Sequence, residues 1–292
     1  MNTNKVFMLL LALVLVSTLA GCSGGTNEMT AEQIRDAVIK ASDDIKTVRM
    51  DTGTQGNGTL DMRIEGTDYR ITVLQMGNTT TENDLVNDKM HMLSQTRSKL
   101  ESQPELQNLG NESQITDMTV ESYLIDNVMY TKSYGAETTT TWTEQRLTEE
   151  SRETFNQLAQ EMNMLESAPV ELLGSEQLDG IDCYVLRVTP DVGEMYQTMM
   201  QNLSGAGKWL FRIFDFKEMI RNASMTMLVA KDTFFVMRDE MKMTLVMNPE
   251  SMHLPLGDIN MEMKMDYEIV TKDYDHNKPV TITSPTEAPI TG

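Results

Sequence analysis

The chain has 292 residues, of which 44 are acidic and 24 are basic, so its formal net charge is −20. Such acidity argues against binding to nucleic acid, because phosphate contacts are made by cationic side chains. Two cysteines cannot build a disulfide framework, and three histidines leave few groups for zinc binding or acid–base chemistry. With 40% apolar and 23% charged residues, the chain has the composition of a globular protein with a sizeable core.

The first element in the chain is a signal for export. Lys5 precedes an apolar run that suits the central region of a secretory signal and is short for a bilayer span. The run ends in the letters LAGC, which resemble the lipobox of secreted lipoproteins, where the cysteine thiol accepts a lipid. We therefore expect a signal peptide over 1–21, a lipidated Cys22 and a flexible tether over 22–28. An ordinary signal peptide with a chance cysteine and an uncleaved anchor are the alternatives.

Residues 29–292 are predicted to form a single α+β domain with a large antiparallel sheet, because helical and alternating patterns continue without a break in composition. The letters TAEQ from Thr30 form a capping box that opens an amphipathic helix over 30–46. A second helix is predicted over 148–166, and Asp191 is a candidate cap for a third that reaches about 203. Period-2 alternation predicts strands over 60–64, 69–73, 84–97, 118–133, 170–178, 181–189, 222–230, 234–247, 258–270 and 278–284.

Methionine is the unusual residue of this chain, with 26 copies. In the last predicted strands it takes every second position, which predicts one methionine face and one charged face. The stripe consists of Met225, Met227, Met241, Met243, Met261, Met263 and Met265. Three interpretations stay open: ordinary core packing, a wall that adapts to a hydrophobic ligand, and Cu(I) capture by thioether sulfur. Copper is disfavoured, because strand alternation directs His91 away from Met90 and Met92.

Covalent modification is a further expectation for an exported chain. Five Asn-x-Ser/Thr sequons are candidate glycosylation sites. They begin at Asn57, Asn78, Asn111, Asn202 and Asn222. Cys183 lies in an apolar strand with no histidine nearby in sequence, which favours a buried and inert thiol. No nucleophile elbow, zinc-protease, P-loop or dinucleotide motif occurs in the sequence, so we expect neither an enzyme nor a cofactor or metal site.

Several stretches resemble the LolA/LppX-like lipoprotein superfamily, including its archaeal and Gram-positive surface members. They are the helix-then-strand opening over 30–50, the strand over 123–130 followed by Trp142, the hairpin strand over 180–186, and the Pro-containing tail over 277–288. The resemblance implies a strongly curved antiparallel sheet, a half-barrel of about eleven strands, with helices covering its concave face. It also implies a hollow for lipids or lipidated chains, walled by the methionine stripe.

These observations together predict a lipid-anchored protein on the outer face of the cell membrane that binds or carries a hydrophobic ligand. The expected partners are the membrane, through Cys22, and a lipid or lipidated molecule, with Trp209 and Phe211 as further ligand contacts in an aromatic lid or mouth. One alternative is a non-enzymatic envelope sensor or assembly protein that uses the same fold for protein contacts. Another is a lipoprotein that binds copper through its methionines.

Overall fold

A computed structural model describes residues 29–64, 66–104, 114–135, 141–148, 157–193, 219–247 and 261–285. Within these ranges the chain forms two helices, α1 (Ala31–Ser42) and α2 (Gln157–Ser167). The strands are β1 (Thr47–Ile64), β2 (Thr67–Asp84), β3 (Lys89–Gln103), β4 (Gln114–Ile125), β5 (Val128–Gly135), β6 (Thr143–Arg146), β7 (Val170–Leu178), β8 (Ile181–Val188), β9 (Ile220–Ala230), β10 (Val236–Met247) and β11 (Met261–Tyr274). The predictions for Cys22, Asn111, Asn202, Trp209 and Phe211 lie outside the described residues, as does most of the helix predicted from Asp191.

The eleven strands form one antiparallel sheet in the order β6-β5-β4-β3-β2-β1-β11-β10-β9-β8-β7. This confirms the predicted α+β fold with a large antiparallel sheet. The sheet is open, with β6 and β7 at its edges, so the connection between these two strands leads from one edge to the other. Helix α2 lies in that connection, and its Leu158 packs against the buried cluster of Ile45, Val48 and Met50 beside the central strand β1.

Helix α1 is shorter than predicted. Its buried side carries Ile34 and Val38, which are 0% and 2% exposed, as the predicted amphipathic pattern requires. The helix ends at Ser42, whose hydroxyl donates a hydrogen bond to the Ile39 carbonyl oxygen at 2.7 Å. Such local bonding competes with the helical ladder, and a turn then carries Ile45 into the core. The predicted continuation to residue 46 is therefore wrong.

Two tight turns join neighbouring strands, and the sequence analysis predicted one of them and missed the other. The β7–β8 hairpin turns at Asp179 and Gly180, whose φ angles of 51° and 85° confirm the predicted two-residue turn. A second turn of this kind, at Asp126 and Asn127 with φ angles of 52° and 63°, divides the strand predicted over 118–133 into β4 and β5. Asp and Asn tolerate the left-handed region, so they supply this turn without a glycine.

The last predicted strand, over 278–284, forms no strand. The nearby strand β1 is already paired along both of its edges, with β2 and with β11. Asn277 instead adopts a φ of 60° and ties the turn to β1, with its N–H donating to the Thr47 carbonyl oxygen at 2.9 Å. Pro279 has no N–H to offer a ladder. Ile282 is nevertheless buried, so this segment contributes to the core without joining the sheet.

Candidate functional site

The sheet has one apolar face and one charged face, as the alternation predicted. We call the first the methionine face. Its register places Met225 opposite Met241, Met243 opposite Tyr267, and Met263 opposite both Met247 and Leu60. The intervening residues point the other way and form the charged face, where Lys242 lies opposite Glu268 with Nζ and Oε1 3.4 Å apart. Because successive side chains point to opposite faces, each strand has one charged, solvent-facing side and one apolar side.

Burial divides the methionine stripe into two groups. Met225, Met227 and Met265 are 4%, 0% and 7% exposed, so these three fill the core as the first interpretation expected. The other four, which are Met241, Met243, Met261 and Met263, are half-buried. Partly accessible thioether side chains on neighbouring strands form a deformable apolar surface, since methionine is unbranched and polarisable.

Two glycines on β1 bring side chains of β11 close to the sheet. A β-carbon at Gly58 would come within 2.5 Å of the Met265 Cγ, and one at Gly56 would come within 2.8 Å of the Tyr267 ring. The Tyr267 hydroxyl donates to the Met265 sulfur at 3.5 Å, and burial raises the pKa of this tyrosine. The absence of side chains at Gly56 and Gly58 therefore creates the space in which Tyr267 and Met265 lie over β1.

From β11 through β1 to β5 the same face also carries hydroxyl groups. Thr52 donates to Thr271 at 3.3 Å, and Thr79 donates to Ser94 at 2.9 Å. Ser122 shares a hydrogen bond of 3.4 Å with Thr131, and it is buried. Each of these hydroxyls bonds a neighbour across the strands, so these buried and half-buried hydroxyls are paired. The methionine stripe of β9–β11 therefore shares this face with hydroxyl groups on β11, β1 and β2–β5.

Three acidic side chains interact electrostatically, and we call them the buried acid cluster: Glu161 on α2, Asp239 on β10 and Asp273 on β11. Asp239 and Asp273 are 6% and 2% exposed and belong to the methionine face, in register with Met227 and Met50. Burial raises the pKa of Asp239 to about 6, although a hydrogen bond from Thr271 partly offsets this. Burial and the nearby Asp239 raise the pKa of Asp273 to about 8. The Glu161 pKa is raised well above its ordinary value by burial and by both aspartates.

Sequence reasoning missed this cluster, although a signal was present. Asp239 is in phase with Met241 and Met243, and Glu161 lies between the apolar residues Leu158 and Leu165 of its helix. An acid at a core position of an amphipathic pattern is unusual, because a buried charge is costly unless it is paired or neutralised. In the described part of the chain, no group of three or more His, Cys, Asp or Glu side chains is arranged to hold a metal ion.

On the charged face, ion pairs and stacked aromatic rings link side chains of neighbouring strands. Arg49 binds Glu82 at 2.7 Å and Asp275 at 2.9 Å through its guanidinium nitrogens. His91 stacks on Tyr123 with ring centroids 4.4 Å apart, and its Nε2 lies 3.2 Å from a carboxylate oxygen of Glu121. His91 therefore faces away from Met90 and Met92, as the alternation predicted.

The described sequons lie on exposed strand positions. Asn57 and Asn78 project from the charged face of β1 and β2, and Asn222 sits on β9 with a φ of 54°. Asn57 and Asn222 line one groove of about 330 Å³ together with Lys242 and Asp266. A second groove, of about 480 Å³, opens at the β1–β2 hairpin among ion-paired side chains such as Asp61 and Arg70. Both grooves have largely polar and charged linings.

Cys183 is fully buried and unbonded to another cysteine, as predicted. Its thiol donates to the Ile181 carbonyl oxygen at 3.5 Å, and burial raises its pKa. A thiol with a raised pKa and no access to solvent is a poor nucleophile. No helix in the described ranges has both the length and the apolar character needed to cross a bilayer.

Comparison with known proteins gives similarity at the level of structure. No family model and no curated protein matches the sequence. The lipoprotein LppX from Mycobacterium tuberculosis is 14% identical, with 86% of this chain and 96% of that chain aligned and a TM-score of 0.38. LprF from Mycobacterium bovis is 11% identical over 87% of this chain and 96% of that one, with a TM-score of 0.41. A LolA superfamily protein from Nitrosomonas europaea is 12% identical over 83% and 93%, with a TM-score of 0.20. The search thus returns the LolA/LppX-like proteins that the sequence motifs resemble.

Proposed function

We propose that this protein is an extracytoplasmic, lipid-anchored lipoprotein that holds a hydrophobic ligand against its methionine face. The observation that carries the proposal is the group of four half-buried methionines, Met241, Met243, Met261 and Met263, on the neighbouring strands β10 and β11. A soluble domain rarely leaves such a surface without an occupant, and a methionine surface can adapt to acyl chains of different shape.

The proposal includes the arrangement of the whole chain. Residues 1–21 are a cleaved signal peptide, Cys22 carries the lipid, and residues 22–28 tether a single domain over 29–292. The sheet is strongly curved, and helices cover its concave side. The packing of Leu158 on α2 against Val48 and Met50 supports this arrangement, because these two residues belong to the methionine face. Trp209 and Phe211 are further ligand contacts at the mouth.

The charged face has a different role in this proposal. Asn57, Asn78 and Asn222 are exposed, so their amide nitrogens are open to glycan attachment, as proposed also for Asn111 and Asn202. Glycans on Asn57 and Asn78 would project from the face opposite the methionines and leave the ligand side free. The chain is not an enzyme in this proposal, and it needs no cofactor.

Native mass spectrometry tests ligand binding. The protein is purified from membranes as cells make it and released from detergent in the gas phase. We expect noncovalent adducts of lipid mass on the wild type, and their loss in the double variant Met243→Gln, Met263→Gln. The matched control is Lys242→Gln, Lys264→Gln, which alters the same strands on the charged face and should keep the adducts. A wild type without adducts, before and after incubation with lipid vesicles, would contradict the proposal and favour a protein-binding role.

Lipid attachment has its own test. Cells are fed radiolabelled palmitate, and the protein is isolated and counted. We expect label in the wild type and none in Cys22→Ser. Equal labelling of the two proteins would overturn the anchor without touching the ligand proposal.

A further inference from the structure

The buried acid cluster joins two parts of the fold that are far apart in sequence. Glu161 belongs to α2, whereas Asp239 and Asp273 belong to neighbouring strands of the sheet. The two oxygens Glu161 Oε1 and Asp273 Oδ1 are buried and have no hydrogen-bond partner. An unpaired carboxylate oxygen in such a place is strongly destabilising, so the cluster requires a neutralising species.

Among the described residues, the strands supply no cation that forms an ion pair with the cluster, although the charge of Arg238 lowers the pKa of Asp239. On β10 the neighbouring Arg238 points to the charged face and binds Glu240 at 3.3 Å. On β11 the neighbouring Lys272 points the same way and binds Asp179 at 2.6 Å. On β1, Met50 lies opposite Asp273, while Arg49 on the other face binds Glu82 and Asp275. On β9 the residue in register with Asp239 is Met227.

The helices and the turn after β11 supply none either. On α1, Arg35 binds Asp36 at 2.8 Å, and Lys40 is exposed to solvent. Helix α2 has no Lys, Arg or His over 157–167, and its other charged residue, Glu166, is an acid that is exposed to solvent. The ring of His276 in the turn is tilted by 30° against that of Phe235, with centroids 4.9 Å apart, and burial lowers the pKa of His276, which favours the neutral ring.

Since no described cation pairs with the cluster, we infer that bound protons neutralise its carboxylates. We propose that Glu161, Asp239 and Asp273 form a proton-operated latch, which holds α2 against the sheet in acid and releases it from the methionine face as the pH rises. In the protonated state carboxyl groups share hydrogen bonds across the helix–sheet contact. After deprotonation, like charges in a region of low dielectric constant repel one another, and α2 is the only element of the three that is not fixed in the sheet ladder.

The raised pKa values of Asp239, about 6, and Asp273, about 8, put the release between these two pH values. At pH 5 the cluster holds its protons and the latch is closed. At pH 9 at least two carboxylates are ionised and the latch is open. The effect on ligand exchange rests on the proposed function, because α2 would uncover the face that holds the ligand. The latch itself needs no ligand.

Hydrogen exchange measured by mass spectrometry tests the latch. The full protein, in lipid nanodiscs and without added ligand, is exchanged at pH 5 to pH 9, and rates are corrected for the intrinsic pH dependence of amide exchange. We expect protection of residues 157–167 to fall by at least about tenfold across this range, since each unit of pKa shift corresponds to a factor of ten. Protection of β9 should not change. Constant protection of α2 would overturn the proposal.

Variants separate the latch from general pH effects. Glu161→Gln and Asp273→Asn keep the shape of the side chains and remove the titrating proton, so each should flatten the pH profile of α2. Glu166→Gln is the matched control on the exposed side of the same helix, and it should keep the wild-type profile. If both cluster variants keep the wild-type profile, the latch is wrong. Should one variant fail to fold, the other variant and the wild-type profile decide the question. Ligand binding plays no part in this assay, so the failure of the lipid-adduct experiment would leave its result intact.

Discussion

The side chain of Met265 on β11 lies across the Cα of Gly58 on the neighbouring strand β1. A β-carbon at Gly58 would meet the Met265 Cγ at 2.5 Å and the Lys264 carbonyl oxygen at 2.6 Å. The methionine could swing away, but the carbonyl oxygen belongs to the backbone of a paired strand and cannot. The contact between these two strands is therefore built around the missing side chain.

The change Gly58→Ala should accordingly destabilise the protein. Overpacking of a closely fitted site costs about 1–3 kcal/mol, which urea unfolding followed by circular dichroism would resolve. Gly53→Ala on the same strand is the control, because the nearest atom to a β-carbon there is 3.9 Å away. Equal stability of the two variants would show that β1 and β11 are not held as closely as described.

The Asp126–Asn127 turn allows a prediction about backbone conformation. Asn127 has a φ of 63°, a region that asparagine and glycine enter easily and β-branched residues do not. Asn127→Val should therefore cost about 1–2 kcal/mol of unfolding free energy, whereas Asn127→Gly should cost little. Differential scanning calorimetry of both variants measures the difference. Two variants of equal stability would place β4 and β5 in one strand, as the sequence alone suggested.

The sequence predicted the features of this fold that follow from side-chain alternation. Met241 and Met243 alternate with Lys242, and only one register of β10 can bury the former and expose the latter. The Asp179-Gly180 turn carries a strong local signal as well. The Asp126–Asn127 turn carries a weaker one, because both residues also occur within loops and at strand ends, and the two strands were therefore read as one.

The buried acid cluster could not be read in the same way. The patterns around Glu161 and Asp239 mark each as an acid at a core position, but they do not show that these two acids and Asp273 lie near one another. Their proximity depends on the connection that carries α2 from the edge strand β6 to the opposite edge strand β7, which is a long-range feature of the topology. Local periodicity determines which face a residue lies on, but not which residues from other elements meet it there.

Cys183 should be unreactive in the folded protein. The side chain is fully buried and burial raises its thiol pKa, so the nucleophilic thiolate is both rare and shielded. With iodoacetamide at pH 8, the peptide that contains Cys183 should be alkylated only on unfolding. Mass spectrometry after digestion measures this, with a sample in denaturant as the control. Rapid alkylation of the native protein would contradict the packing around β8.

The division of the methionine stripe predicts two different responses to truncation. Met227 is fully buried, so Met227→Ala should cost about 2–5 kcal/mol of unfolding free energy through lost burial and a cavity. Met243 is half-buried, and Met243→Ala should cost about 1 kcal/mol while weakening the retention of lipid adducts. If Met243→Ala were as destabilising as Met227→Ala, Met243 would be a core residue. It could then not belong to the proposed ligand-binding surface.

The stability of the whole protein should decrease as the pH rises from about 6 to 8. Asp239 and Asp273 have pKa values of about 6 and about 8 in the folded state, which lie above the value of about 4 expected in the unfolded chain. The folded state therefore binds more protons than the unfolded state in this range. The contribution of each group to folding stability is complete below about pH 4. It falls as the pH rises between the unfolded and the folded pKa, by about 1.4 kcal/mol for each unit of pKa shift, and it is lost once the group has ionised in the folded protein.

Asp273→Asn should flatten this decline and make the variant more stable than the wild type at pH 8, because the amide is neutral at every pH in the range. Urea unfolding at pH 6, 7 and 8 measures the slope. Asp266→Asn is the control on the charged face of the same strand, where a hydrogen bond from Thr244 lowers the aspartate pKa, and it should leave the slope between pH 6 and 8 unchanged. A wild-type stability that stays constant over this range would contradict the prediction, because a carboxyl group that is ionised in both the folded and the unfolded state contributes no slope.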